Sequence, residues 1–461
     1  MKPVVTFIGA GSFIFARKVI VDLLTFEEMH EMELRLMDID AEKLDITRRL
    51  AVQINKQVGA NIKVVVGDDR IKAIDGADFV LTMFDPDGLE ARRVEVEVPM
   101  KHGVPQAIGD TLGPGGIFKG IRTSTVLVDI AHDMEKYCPN AWLLNYVNPM
   151  AINCWAVNEL TTVKCIGMCH GLEHTLNRLS KYLSISNGLQ TLAGGINHMC
   201  WLLSLTHNGE DAYPMLWERM QTIMADDPIR GSMMKTFGYF VTESPYHIAE
   251  YVPYFTRRFA DLKVYSEEAD NLNIAMGGWE GYIITPSSGS GGQVEPMIPE
   301  AWDIQLYDGL HEATHRRQLE QIQSGEPIEI KLSEEYSGRI IHSICTDTPR
   351  RMSLNVNNNG LITNLTQGCV VEVPVYVDRM GIHPQGLGDI PPQCAALCQR
   401  NIDVQSRVID AIVNKDRRSV LHAMLLDPLT GACLEPLEIE ALFDDIVRSH
   451  GNRLGKWLAM P

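Results

Sequence analysis

The sequence predicts an α/β protein: a Rossmann-like parallel sheet at the N-terminus, packed on a second, mixed α/β domain. Three observations predict it. Residues 3–8 are a short apolar run rich in β-formers, closed by Gly9-Ala10-Gly11-Ser12 and followed by a helical stretch carrying Ala16, Val19, Ile20 and Leu23. Further strand-like runs at 34–37, 63–66, 77–83 and 142–146 alternate with helical patterns, the order that a parallel sheet with right-handed crossovers produces. Beyond about residue 200 the pattern changes to helices broken by irregular segments. The expected division is therefore a dinucleotide-binding domain over 1–200 and a substrate and oligomerisation domain over 201–461.

The strand–glycine–helix unit carries the first chemistry. Gly9 permits a tight turn, and Gly11 lets backbone approach a pyrophosphate drawn to the helix N-terminus. A third glycine is absent, since Ile14 stands in its place. The second strand ends in Asp38, whose carboxylate suits the ribose hydroxyls of NAD and repels the 2′-phosphate of NADP. Asp38-Ile39-Asp40 also leads into a helix, so one of the two aspartates is expected to cap it. Gly9, Gly11, Ser12, Phe13 and Asp38, with Asn145 at the end of a later strand, form the expected NAD-binding set.

Composition narrows the class. A formal net charge of −18 argues against nucleic-acid or anionic-membrane surfaces, which need basic patches. No apolar run is long enough to span a bilayer, and the start lacks a secretory pattern. The ten cysteines are scattered without a C-x-x-C pair, which reads as reduced thiols in a cytoplasmic protein.

Ligands of open α/β sheets bind beyond the carboxyl ends of the strands, so the loops there are the candidate site. They are 84–88, the glycine-rich 109–116 with Asp110, and 145–150 with Asn145 and Asn148, whose amides can donate to and accept from hydroxyls. Cys169, after Gly167-Met168, and His198, after Gly195-Ile196-Asn197, offer a thiolate and an imidazole that a fold could bring onto one divalent metal. Further on, 333–345, 392–424 and 435–449 read as helices, and 354–356 and 369–375 as strands, the latter alternating as if half-buried. Residues 265–300 are glycine- and serine-rich and read as a long lid or oligomer contact.

In combination these segments resemble glycoside hydrolase family 4, the NAD- and metal-dependent glycosidases. The matching pieces include FIGAGS (7–12), LMDID (36–40), DTLGPGGI (110–117), LLNYVNPMA (143–151), GMCHG (167–171), GINHM (195–199), GYFVTES (238–244) and HIAEYVPYF (247–255), in the family's order. The resemblance runs along the whole chain and is greatest to the melibiase-type α-galactosidases. It implies a lactate/malate dehydrogenase-like fold, NAD⁺ and Mn²⁺ (or another divalent ion) as cofactors, a small sugar glycoside as substrate, and a homodimer or homotetramer. It also implies a mechanism outside the two-carboxylate scheme. C3 of the sugar is oxidised, C2 loses a proton, the glycosidic group leaves by elimination, water adds, and C3 is reduced back.

Carried over by residue, the resemblance makes Cys169 and His198 the metal ligands and Asn148 a contact to sugar hydroxyls. Asp110 lies where sugar and metal meet. His170 is a candidate leaving-group acid or substrate contact. Tyr251 is the first candidate for the base at C2, with His247 and Glu250 as rivals, and His247 is alternatively a substrate contact or third metal ligand. Two features depart from the α-galactosidase pattern. Cys169-His170-Gly171-Leu172 carries the CHG of α-glucuronidases, and Arg92 and Arg93 follow the 84–88 loop. A guanidinium there, with Arg93 the candidate, suits an anionic sugar such as an α-glucuronide or a sulfoquinovoside. α-Galactosidase is the leading expectation, an α-glycosidase for an anionic sugar the second, and an NAD-dependent 2-hydroxy acid or sugar dehydrogenase the third.

Overall fold

The computed structural model describes residues 2–106, 108–255 and 316–458, so the 265–300 segment lies outside the described residues. A single 12-stranded sheet organises them. Its strands are β1 (Val4–Ile8), β2 (Glu33–Met37), β3 (Lys63–Gly67), β4 (Phe79–Thr82), β5 (Trp142–Asn145), β6 (Lys164–Gly167), β7 (Leu189–Ile196), β8 (Met199–His207), β9 (Glu210–Asp211), β10 (Arg350–Asn357), β11 (Val370–Asp378) and β12 (Gly381–Pro384). Across the sheet the order is β3-β2-β1-β4-β5-β6-β10-β11-β7-β8-β9, with β12 beside β11. The first six are parallel and follow the 3-2-1-4-5-6 order of dinucleotide-binding sheets, in which the ligand crevice opens where the order reverses, between β1 and β4.

The apolar runs explain the burial. All four residues of β4, Phe79–Thr82, are buried, as are Leu143 to Asn145 of β5, because helices cover both faces of a parallel sheet. The sheet does not stop at the expected boundary of residue 200, which falls inside β8. It continues through antiparallel pairing of β6 with β10 at Gly167–Asn355 and of β11 with β7 at Glu372–Gly195. β11 is buried on both faces rather than half-buried, because the helices Ser337–Thr346 and Met150–Leu160 pack on it. The helix expected over 392–424 is two, Pro392–Asn414 and Arg417–Leu426. Lys415 breaks it with a positive φ, and the Asp416 carboxylate caps the second by accepting from the N–H groups of Arg418 and Ser419. Among the described residues no helix is long and apolar enough to cross a membrane, and all ten cysteines are free.

Candidate active site

The glycine turn after β1 forms as the sequence implies. Gly9 has φ +86°, and a Cβ there would lie 2.6 Å from the carbonyl oxygen of Met83, so the turn can press against the end of β4 only as glycine. Gly11 N–H donates to Asp38 Oδ2 (2.7 Å), which fixes that carboxylate over the turn. Ser12 is the N-cap of the helix Phe13–Thr25 and makes no side-chain cap, and a helix N-terminus of this kind attracts a phosphate. The side chain of Phe13 lies outside the described residues. Asp40, not Asp38, is the helix cap, accepting from Glu42 and Lys43. A dinucleotide fits this turn by its chemistry: a helix N-terminus, a glycine approach and an acidic strand end.

Asn145 needs a correction. Its side chain is fully buried and engaged on both sides: Oδ1 accepts from Thr82 Oγ1 (2.9 Å) and the Val147 N–H (3.0 Å), and Nδ2 donates to Val147 O (3.0 Å). It shapes the loop after β5 rather than reaching a cofactor. Asn148, on that loop, is the amide turned to the site. Its Nδ2 donates to Asp110 Oδ2 (3.3 Å), and its buried Oδ1 has no partner.

Three loops bring the metal-type donors together. Cys169 follows β6 at its carboxyl end, and the Gly171 N–H points at its sulfur (3.4 Å). Ile196 pairs with Met199, so Asn197-His198 is a two-residue hairpin turn between β7 and β8, with His198 at φ +64°. The third donor, Glu243, was missed in the sequence. The Thr242 N–H bonds Cys200 O (2.8 Å), laying the 240–242 segment along β8 and placing Glu243 next to the hairpin tip. Cys169 Sγ, a His198 nitrogen and a Glu243 carboxylate oxygen all lie within 4.8 Å of one another, a mixed S/N/O set that fits a divalent transition ion. The Glu243…His247 spacing, a carboxylate four residues before an imidazole at a helix start, was the available signal.

His247 stands against this trio. It lies on the short helix Pro245–Tyr251, capped by Ser244, and its Nδ1 is 2.5 Å from Glu243. Its ring centroid is 4.0 Å from that of His198. Its Nε2, 3.8 Å from Asp110 Oδ1, has no hydrogen-bond partner. Burial alone would lower the pKa of His247, but Glu243 and Asp110 outweigh it and raise it to about 10. Burial, with the neighbouring His247 charge, lowers His198 to about 4. Tyr251, one turn after His247, is buried with an unpartnered hydroxyl, and burial with Asp110 and Glu250 raises its pKa well above the usual range. Unpartnered buried atoms on Asn148, His247 and Tyr251 are what a polar site shows when its ligand is to be supplied from outside.

Around this centre lie groups that the sequence does not connect. His170 Nδ1 is 3.2 Å from Glu335 Oε1, and Lys18 Nζ is 3.5 Å from the same oxygen. Lys119 Nζ sits 3.6 Å from Asp85 and 4.0 Å from Asp110. Arg122, buried, pairs with Glu95 (2.7 Å) and Asp85 (3.4 Å). Arg93 is exposed, whereas Arg92 is buried and donates to the carbonyl oxygens of Gly109 (2.8 Å) and Ile108. The guanidinium that binds the carbonyls of 108 and 109 is that of Arg92, where Arg93 was the expected substrate contact.

Two family signatures match the chain: family 4 glycosyl hydrolase over residues 4–185 and the family 4 glycosyl hydrolase C-terminal domain over 193–430. An α-galactosidase of Bacillus subtilis (strain 168) is 36% identical over 458 residues, covering 98% of this chain and 99% of that protein. An α-galactosidase of Rhizobium meliloti (strain 1021) is 31% identical, covering 98% of this chain and 89% of that protein. Among solved structures, a 6-phospho-α-glucosidase from gut microorganisms in complex with NAD and Mn²⁺ shares the fold, with a TM-score of 0.77 at 20% identity, over 98% of this chain and 99% of that one.

Proposed function

The chain belongs to the family 4 glycosyl hydrolases, and on that premise we propose that it is an NAD- and divalent-metal-dependent α-galactosidase. One observation carries the reading. The Cys169–His198–Glu243 donors gather beyond the ends of β6 and β7, strands of the same sheet whose β1 ends in the dinucleotide turn, and Asp110, bonded to Asn148, faces His247 beside them. The two relatives of highest identity quoted above are α-galactosidases.

When bound, NAD supplies the acceptor and later the donor of the hydride at C3 of the sugar, and the divalent ion polarises the C3 oxygen. The chain's own groups do the rest. Asn148, through its unpartnered Oδ1, and Asp110 hold sugar hydroxyls. Tyr251 is the base at C2; burial with Asp110 and Glu250 makes its hydroxyl hold its proton, and a cation held by Cys169, His198 and Glu243 would ease its release. His170, held by Glu335, is placed to donate to the leaving group.

The cations near the sugar side support a neutral substrate. Lys119 and Arg122 are paired with Asp85, Asp110 and Glu95, and Arg92 is tied to backbone carbonyls. A carboxylate or sulfonate that met these three would have to displace their partners. Ten free cysteines support a cytoplasmic location, and the family resemblance supports a homodimer or homotetramer. The test is hydrolysis of p-nitrophenyl α-galactoside against the α-glucuronide, with NAD⁺, Mn²⁺ and a reductant. The reading expects the galactoside to be cleaved and the glucuronide spared. Cleavage of the glucuronide alone, or of neither, contradicts it.

A further inference from the structure

The dipeptide Ile108–Gly109, at the entrance to the glycine loop, has all four of its backbone hydrogen-bonding groups satisfied by two side chains. Glu250 Oε1 accepts from the N–H of Ile108 (2.7 Å) and of Gly109 (2.8 Å). Arg92 donates to the carbonyl oxygens of the same two residues. Consecutive N–H groups converging on one point form a nest for an anion; Gly109, at φ +64°, permits the turn, and the Glu250 carboxylate occupies it. Both side chains are buried, and each comes from a different helix, Glu250 from Pro245–Tyr251 and Arg92 from Gly88–Lys101. The next residue along the chain is Asp110, whose carboxylate meets Asn148 and faces His247.

We propose that Glu250 and Arg92 are positioning residues, a latch that sets Asp110 in the active site, and that Glu250 is not the base at C2. This rests on the α-galactosidase reading for its kinetic consequence only. Burial raises the pKa of Glu250 to about 7, which by itself would suit a base. The geometry assigns it otherwise. Its Oε1 is committed to two backbone donors on the loop, the work of a brace rather than of a proton acceptor. The latch also couples two parts of the chain. The helix that carries Glu250 is the one that carries His247 and Tyr251, so a displacement of the loop reaches those two residues as well.

The test compares Glu250→Gln with Glu250→Ala in the full-length protein. An amide oxygen can accept the same two N–H groups, so Glu250→Gln is expected to keep kcat within about threefold of wild type, the weaker neutral acceptor accounting for the difference. Glu250→Ala is expected to lose kcat about 100-fold through misplacement of Asp110, with KM changed far less. Hydrogen–deuterium exchange of the peptide spanning 108–110 is expected to accelerate about tenfold in Glu250→Ala and to stay near wild type in Glu250→Gln. Glu250→Gln as inactive as Glu250→Ala, with normal exchange in the loop, would overturn the proposal and make the carboxylate a proton acceptor. Unchanged exchange in Glu250→Ala would also overturn it. If the wild-type protein cleaves no galactoside, the activity reading fails, while the exchange comparison still decides the latch. Arg92→Lys, which cannot span two carbonyls with one fork, is expected to accelerate the same exchange even if Glu250→Ala does not fold.

Discussion

The rings of His198 and His247 lie 4.0 Å apart, centroid to centroid. Two imidazolium ions cannot share that spacing in a buried site. Glu243, 2.5 Å from Nδ1 of His247, settles which ring holds the proton. Its carboxyl, which burial would raise, is held well below the usual carboxylate range by the charge of His247. His247 is thereby kept protonated and His198 neutral, the state a metal ligand needs.

Glu243 is thus both a donor to the metal-type site and the counter-ion of His247. Glu243→Gln removes the charge in each role and is expected to weaken Mn²⁺ binding about 10–100-fold, as losses of charged groups in and around metal sites do. Titration calorimetry of the protein with Mn²⁺ checks this. Affinity equal to wild type would remove Glu243 from the set of metal donors.

Asp38 is held over the nucleotide turn by the Gly11 N–H. Asp38→Ala removes the acceptor for ribose hydroxyls and the charge that repels a 2′-phosphate. NAD⁺ affinity is expected to fall about tenfold, the value of a charged hydrogen bond, while NADP⁺ affinity rises or holds. Quenching of the intrinsic tryptophan fluorescence by each nucleotide measures both, and undiminished preference for NAD⁺ counts against the assignment.

Much of this was legible before any coordinates. The strand–turn–helix at 4–25 and the acidic strand end announce themselves through local pattern, because each sits where a strand ends and backbone geometry is fixed by neighbours in sequence, whereas Cys169 and His198 stand out only through the resemblance to family 4. Glu335 was not legible as the partner of His170, nor Lys18 as the partner of Glu335. Those contacts depend on how β10 and β11 join the parallel sheet, and no local pattern encodes that. Asn145 and Arg93 show the converse. Their residue types suit a ligand, yet Asn145 is engaged by its own loop and Arg93 faces outward. Which way a side chain points on a helix of low amphipathicity is a tertiary decision.

The glycine loop depends on close packing at Gly116, where a Cβ would lie 2.4 Å from the carbonyl carbon of Thr111. Gly116→Ala is expected to cost about 1–3 kcal/mol, the scale of overpacking in a core, and to lower kcat by displacing Thr111 and Asp110. Gly431→Ala is the control: its nearest neighbour would be 3.7 Å away, and stability should change by less than about 0.5 kcal/mol. Thermal unfolding of the two variants compares them, and equal effects would show that the contact at Thr111 relaxes freely.

His450 is fully buried between Phe118, at a centroid distance of 5.7 Å, and the Arg122–Glu95 pair, and neither ring nitrogen has a hydrogen-bond partner. Burial, with Arg122 and Arg453, lowers its pKa to about 3. The unfolded chain therefore binds a proton that the folded chain refuses. The stability associated with this group is intact above the unfolded value of about 6.5 and is lost as pH falls from there toward 3. His450→Phe is expected to flatten this acid limb, so that the drop in Tm between pH 7 and pH 5 is smaller than in wild type. An identical drop in both proteins would assign the acid sensitivity to other groups.

The central claim, that cleavage runs through C3 oxidation and loss of the C2 proton within the Cys169–His198–Glu243 and dinucleotide sites, is tested most directly by an α-galactoside deuterated at C2. In the presence of NAD⁺ and Mn²⁺ the account predicts slower turnover than with the protiated substrate, and galactose released with the label exchanged into water. Full-rate hydrolysis with the deuterium retained at C2 would contradict it.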